Sequence, residues 1–250
     1  MYQATNNHDL ESGGAIYVVD QKAPISSLLS VDVRHGFVRK VYSILFVQLL
    51  LTSGIAAPFV LMDQSTITTF VRANVWLLWT SLALSFTFMI IFACFPSLMR
   101  RYPWNYGILL LFTATQGLFV GLICATYTVQ SVLVAVVTVT GITLALTLFA
   151  LQTKWDFTGW GPYLLVATLV LLVFGIFVAI FNDRIAEKVY AGLGTLLFSF
   201  YLVYDTQMIA GGNHRKHQFN VDDYAMAAIC LYIDIIQLFL YILSLFGNRR

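Results

Sequence analysis

Two acidic residues, Asp205 and Asp234, interrupt long apolar stretches in the C-terminal part of the sequence. A charged carboxylate is costly in hydrocarbon, so acids in membrane segments are rare and usually face the interior of a helix bundle. Two carboxyl groups within hydrogen-bonding distance and away from water cannot easily both ionise, and they share one proton. Asp205 and Asp234 are therefore predicted to form a pair that senses pH near neutrality.

This pair could act as a latch between two helices. A neutral pair holds the helices together, whereas an ionised pair repels or attracts a cation, and oxygen ligands suit hard cations such as Ca²⁺. Asp205 and Asp234 are thus also candidate calcium ligands. Arg100 could instead pair with Asp205, because a long arginine stem can reach inward from the membrane interface. In the alternative, purely structural interpretation, both acids bond to Tyr, Thr or backbone groups.

The composition indicates which elements position these acids. The 250 residues are 59% hydrophobic and 10% charged, whereas soluble domains are about 25% charged. Apolar runs recur at lengths near the ~20 residues that a helix needs to cross hydrocarbon. They predict an all-α membrane protein with seven transmembrane helices, at about 41–62, 75–98, 106–125, 132–151, 162–181, 189–210 and 224–246.

The last two predicted segments are consecutive and antiparallel. Asp205 lies near the end of the sixth and Asp234 lies further inside the seventh, at depths of roughly 8 Å and 15 Å from the same membrane face. The two carboxyl groups can therefore meet in one half of the bundle. Gly117 and Gly121, four residues apart in the third segment, favour close helix packing.

Residues 1–36 are polar and predict a disordered cytosolic tail, without the apolar core of a cleavable signal peptide. Residues 37–250 form the predicted transmembrane domain. Nine of the 14 Lys and Arg residues fall on the side of the N-terminus, which indicates a cytosolic N-terminus. A formal net charge of +2 gives no reason to expect nucleic acid, and no cofactor is predicted.

The segments around the two acids resemble the transmembrane Bax inhibitor motif family over about residues 37–247. The matching stretches are Phe198-Ser-Phe-Tyr-Leu-Val-Tyr-Asp205-Thr-Gln-Met, Leu231-Tyr-Ile-Asp234-Ile-Ile-Gln-Leu-Phe and Leu245-Phe-Gly247. Two further stretches resemble the Lifeguard branch of that family, namely Cys94-Phe-Pro96 and Arg100-Arg-Tyr-Pro103-Trp-Asn105-Tyr.

The resemblance implies seven helices with the last one central in the bundle. It also implies a pH-sensitive calcium leak channel with an anti-apoptotic or stress-protective role and no enzymatic activity. The family's proton-sensing acids correspond to Asp205 and Asp234, and its basic latch corresponds best to Arg100. Expected partners are the lipid bilayer, calcium and cell-death regulatory proteins, in the endoplasmic reticulum, Golgi or plasma membrane.

Three other functions are alternatives. A non-conducting regulatory scaffold could bind cell-death or receptor proteins through its tail. An intramembrane aspartyl protease also needs two acids that share a proton, and Tyr204–Asp205 fits, but Asp234 follows Leu231-Tyr-Ile rather than Gly-x-Gly and no Pro-Ala-Leu follows. A seven-helix receptor coupled to a G protein lacks its Asp-Arg-Tyr and Asn-Pro-x-x-Tyr signatures here.

Overall fold

The structure is a computed structural model that describes residues 25–181, 183–211 and 215–249. In these ranges the regular elements are helical, apart from one isolated β-bridge. The α-helices are α1 (Ile25–Leu61), α2 (Gln64–Ala73), α3 (Val75–Cys94), α4 (Trp104–Cys124), α5 (Val129–Gln152), α6 (Gly161–Phe181), α7 (Arg184–Ala210) and α8 (Tyr224–Phe246). Two short 3₁₀ helices cover Pro96–Arg100 and Val221–Asp223.

Six helices in the described part of the chain are long and apolar enough to cross a membrane: α1, α3, α4, α5, α6 and, with the turn before it, α8. The chain is therefore an all-helical integral membrane protein. The remaining long helix, α7, has 27 residues but carries Arg184, Glu187, Lys188 and Asp205. These charges lower the mean hydropathy of α7, and α7 is not among the six helices. The count of seven spans therefore stays a prediction that depends on whether α7 crosses the membrane.

Two boundaries differ from the sequence predictions. Helix α1 begins at Ile25, so residues 25–36 are helical and not part of a disordered tail, while residues 1–24 lie outside the described residues. The stretch between the first two spans, expected to be a loop, contains α2. Its apolar residues Ile67, Phe70 and Val71 have the i, i+3, i+4 spacing of one helix face, although the segment is polar overall. Ile67 is buried there.

Helix α8 lies at the centre of the bundle, where it packs against α1, α4, α5 and α7. One of its buried faces is formed by Tyr232, Ile235, Ile236 and Phe239, at the i, i+3, i+4, i+7 spacing of a helix stripe. Asp234 lies off this stripe and is also buried. The central last helix implied by the family resemblance is seen in the structure.

Helices α1 and α4 approach closely at two glycines. A Cβ atom on Gly121 would lie 2.8 Å from Cδ2 of Phe59 and 3.1 Å from Cα of Ala56, and one on Gly117 would lie 3.0 Å from Cβ of Ile55. Only a residue without a side chain permits this backbone separation. The predicted role of the glycine pair in close packing is confirmed.

The helices alternate in direction, so the bundle has two faces. We call the face where α1 begins the N-terminal face and the one where α8 ends the C-terminal face. At the C-terminal face Arg249 forms the β-bridge with Tyr127 and an ion pair with Glu187. Lys188 Nζ donates to the carbonyl oxygen of Ser244 at 2.8 Å. These contacts fasten the end of α8 to the start of α7 and to the α4–α5 connection.

Candidate functional site

Asp205 on α7 and Asp234 on α8 lie side by side in the interior of the bundle. Their exposed fractions are 6% and 4%, and the two carboxyl groups lie close enough to influence each other's ionisation. One carboxyl group can donate to the other only when it carries a proton. The structure therefore brings together the two acids that were predicted to meet, in a dry environment.

Among the described residues, no cation forms an ion pair with either acid. The ion pairs among the described residues are Arg100–Asp223 and Arg249–Glu187, and neither includes the buried acids. Tyr201, Tyr204 and Cys230 lie near enough to feel the charge of the acids, and none of them is a base. Oδ2 of Asp234 also has no hydrogen-bond partner among the described residues. Two uncompensated buried charges are very costly, so the pair requires either a proton or a cation.

Arg100 does not pair with Asp205, and this prediction is wrong. Its Nε donates to Oδ1 of Asp223 at 2.6 Å and its Nη2 donates to Oδ2 at 3.1 Å. This hydrogen bond, together with the charge on Asp223, raises the pKa of the exposed guanidinium. Asp223 lies at the start of α8, near the surface, so Arg100 reaches it without leaving water, whereas Asp205 is buried deeper.

A different arginine, Arg34 on α1, caps the C-terminal end of α7. It donates to three backbone carbonyl oxygens: Phe219 at 2.6 Å from Nη1, Met208 at 2.8 Å from Nη2 and Ala210 at 3.2 Å from Nε. A cation is favourable at a helix C-terminus, where free carbonyl groups carry partial negative charge. Sequence reasoning missed this contact because backbone acceptors leave no signature in residue types.

Gln207, two residues after Asp205, joins the end of α7 at the N-terminal face to the α5–α6 connection. Its Oε1 accepts from the Phe157 amide at 2.8 Å, and its Nε2 donates to the carbonyl oxygens of Trp155 at 3.0 Å and Ala150 at 3.2 Å. Arg215 donates to the same two carbonyl oxygens. The α7–α8 connection is therefore docked on the end of α5.

Asp156 strengthens this docking. Its Oδ1 accepts from Thr158 Oγ1 at 2.7 Å, and its Oδ2 accepts from the Lys216 amide at 2.8 Å. Burial opposes the charged form of Asp156, but these hydrogen bonds and the charge of Arg215 hold the pKa of its carboxyl group below the usual value. Asp156 therefore stays ionised near neutral pH, and this contact does not change in that range.

Replacing Gln207 tests the docking contact. Gln207→Leu leaves the buried Phe157 amide without an acceptor, whereas Arg215 still serves the two carbonyl oxygens. An unsatisfied buried donor costs about 1–3 kcal/mol, so we expect a loss of that size in the free energy of unfolding. Unfolding in detergent micelles measures it, with exposed Gln64→Leu as the matched control. Equal stability of the two variants would contradict the docking role of Gln207.

The site does not have the ligands of a resident metal centre. The described residues contain no group of three or more His, Cys, Asp and Glu that could hold a metal ion. Calcium takes about 6–8 oxygen ligands, more than Asp205 and Asp234 supply.

Comparison with known proteins places the chain in a family. The family model described as "Inhibitor of apoptosis-promoting Bax1" matches residues 34–250. The chain belongs to the Bax inhibitor-1 family. This confirms the resemblance inferred from the segments around Asp205 and Asp234.

Relatives in the Bax inhibitor-1 family include proteins named lifeguard. The chain is 38% identical to protein lifeguard 3 of Homo sapiens over 222 residues. This alignment covers 87% of the chain and 70% of the relative. Protein lifeguard 3 of Mus musculus is 36% identical, with the same coverage. Protein lifeguard 4 of Mus musculus is 35% identical over 86% of both chains. The Lifeguard assignment from the Cys94 and Arg100 segments is confirmed.

Proposed function

We propose that this Bax inhibitor-1 family protein is a pH-sensitive leak pathway for calcium and that the leak protects cells against death signals. The observation that supports the leak is the buried Asp205–Asp234 pair, which forms no ion pair with a basic residue in the described part of the chain. Such a pair changes its charge with pH and attracts cations, and it lies between the two helices whose separation would open the N-terminal face.

The sign of the pH dependence follows from the charge of the pair. At acidic pH both acids are neutral or share a proton, and a hydrogen bond holds α7 against α8. As the pH rises the proton is lost, and two neighbouring negative charges repel unless a cation lies between them. The closed form therefore prevails at low pH, and the leak increases as the pH rises.

We further propose that the N-terminal face, including Arg34 and Arg215, lies in the cytosol. The excess of Lys and Arg on that side supports this orientation. A cation that leaves the Asp205–Asp234 pair on this side would have to pass the contacts of Arg34, Gln207 and Arg215. Opening of the pathway would therefore loosen the docking of the α7–α8 connection.

The protective part of the proposal is supported by the family, whose description refers to inhibition of an apoptosis-promoting protein. A steady leak from the endoplasmic reticulum or Golgi would lower the calcium that a death signal can release from that store. The protein would then act by setting the content of the store, without catalysing a reaction.

Calcium flux into liposomes tests the leak. Full-length protein is reconstituted with an internal calcium indicator, and the initial rate is measured from about pH 6 to about pH 8, the range in which a shared proton is expected to leave. We expect flux above that of protein-free liposomes, rising with pH. An absence of flux at every pH would contradict the leak and would favour a non-conducting scaffold.

A further inference from the structure

An apolar groove runs along the opposite half of the bundle from the acid pair. It has a volume of about 510 Å³ and lies between α1 and α5, with α4 and α8 forming its floor. The floor residues Val120, Ile235 and Phe239 are buried, whereas Ala57 and Val136 at the rim are exposed. The groove is therefore open sideways, towards the hydrocarbon that surrounds α1 and α5.

The two threonine hydroxyl groups that line the groove are already engaged within the protein. Thr52 Oγ1 bonds to the carbonyl oxygen of Gln48 at 2.8 Å and to the Tyr232 hydroxyl at 2.7 Å. Thr140 Oγ1 donates to the carbonyl oxygen of Val136 at 2.8 Å. Apolar cavities of about 150 Å³ stay dry and take up apolar molecules, and this groove is larger. Its lining favours an apolar occupant over water or an ion.

The dimensions of the groove match one leaflet of a bilayer. On α1 it extends from Leu49 to Leu61, which is about 18 Å at ~1.5 Å per residue. It begins at the C-terminal face, where α1 ends and α5 starts. Since the hydrocarbon core is about 30 Å thick, the groove runs from that membrane face to slightly beyond the bilayer midplane.

We infer that the groove holds one acyl chain of a bilayer phospholipid, inserted between α1 and α5. The deep end of that chain packs against Ile235 and Ile236 of α8, on a different side of the helix from Asp234. The site is separate from the acid pair, and its existence does not depend on calcium transport. A bound chain also fills space between helices that would otherwise remain empty.

Photo-crosslinking tests this site. Full-length protein in liposomes that contain phosphatidylcholine with a diazirine at the acyl chain end is transferred to mild detergent and then irradiated. Lipids on open surfaces are washed away, so we expect the remaining label on groove residues such as Ser53 and Val136. Label that is absent, or equally strong at Val137 on the outer side of α5, would overturn the inference.

A matched pair of variants provides the second measurement. Ala57→Trp fills the rim of the groove and is expected to lose the retained label, whereas Ala83→Trp, at an exposed position on α3 outside the groove, keeps it. Cys124 lines the groove, so the reactivity of its thiol shows whether water enters the groove. Rapid reaction of Cys124 with a charged, membrane-impermeant thiol reagent in the unmodified protein would show a water-filled groove and would overturn the proposal.

Discussion

Asp234→Asn is expected to make the calcium leak insensitive to pH. Asn has nearly the shape of Asp but cannot lose a proton, so the two neighbouring negative charges that are proposed to separate α7 from α8 can no longer form. Loss of one proton changes an equilibrium by up to about tenfold per pH unit, so we expect the steep rise with pH to flatten to less than about twofold. Asp205→Asn is expected to have the same effect, because the two acids titrate as a unit. The liposome flux assay measures both variants.

Arg100→Gln is the control for this result. Because Arg100 binds Asp223 and not the buried pair, its removal should leave the pH dependence intact. Retention of the normal pH dependence in both Asp variants would eliminate the sensor. Loss of the pH dependence in Arg100→Gln alone would indicate that the surface ion pair, and not Asp205–Asp234, responds to protons.

Gly194→Ala is expected to destabilise the contact between α7 and α8. A Cβ atom on Gly194 would lie 2.5 Å from Cε1 of Tyr241. The Tyr241 ring is held by a 3.1 Å hydrogen bond to the Tyr190 hydroxyl and by stacking on Phe198 at 5.7 Å. Overpacking of a well-filled core costs about 1–3 kcal/mol, and we expect a loss of that size in the free energy of unfolding in detergent micelles.

Gly192 on the same helix provides the matched control. A Cβ atom there meets nothing within 4 Å, and Ala is favoured over Gly in a helix by about 0.5–1 kcal/mol. Gly192→Ala should therefore stabilise the protein slightly, whereas Gly194→Ala destabilises it. Stabilisation by Ala at both positions would show that Tyr241 moves aside and that this contact does not set the α7–α8 distance.

The acid pair could be predicted from the sequence because carboxylates within apolar segments are rare and must be compensated. Asp205 and Asp234 stand out for this reason, and their depths on consecutive antiparallel helices indicate that they can meet. The glycine spacing in α4 was informative in the same way, since Gly117 and Gly121 lie on one face and leave room for α1.

The partner of Arg100 could not be predicted, because several acids lie within reach of a long side chain. The sequence does not distinguish buried Asp205 from Asp223, which lies closer to the surface and takes the contact. The contacts of Arg34 and Gln207 depend on backbone atoms, whose positions follow only from the folded chain. The short helix α2 was missed because its segment is polar overall and only Ile67 on one face is buried.

The fastening of α8 at the C-terminal face constrains how this helix can move. The end of α8 is tied to Glu187, Lys188 and Tyr127, so a swing of α8 that keeps these contacts would turn about that end. Asp234 is about 18 Å from Phe246 and Tyr224 is about 33 Å away, at ~1.5 Å per residue. A given lateral displacement of Asp234 would therefore be nearly doubled at Tyr224, so a small separation of the acids produces a wider gap at the N-terminal face.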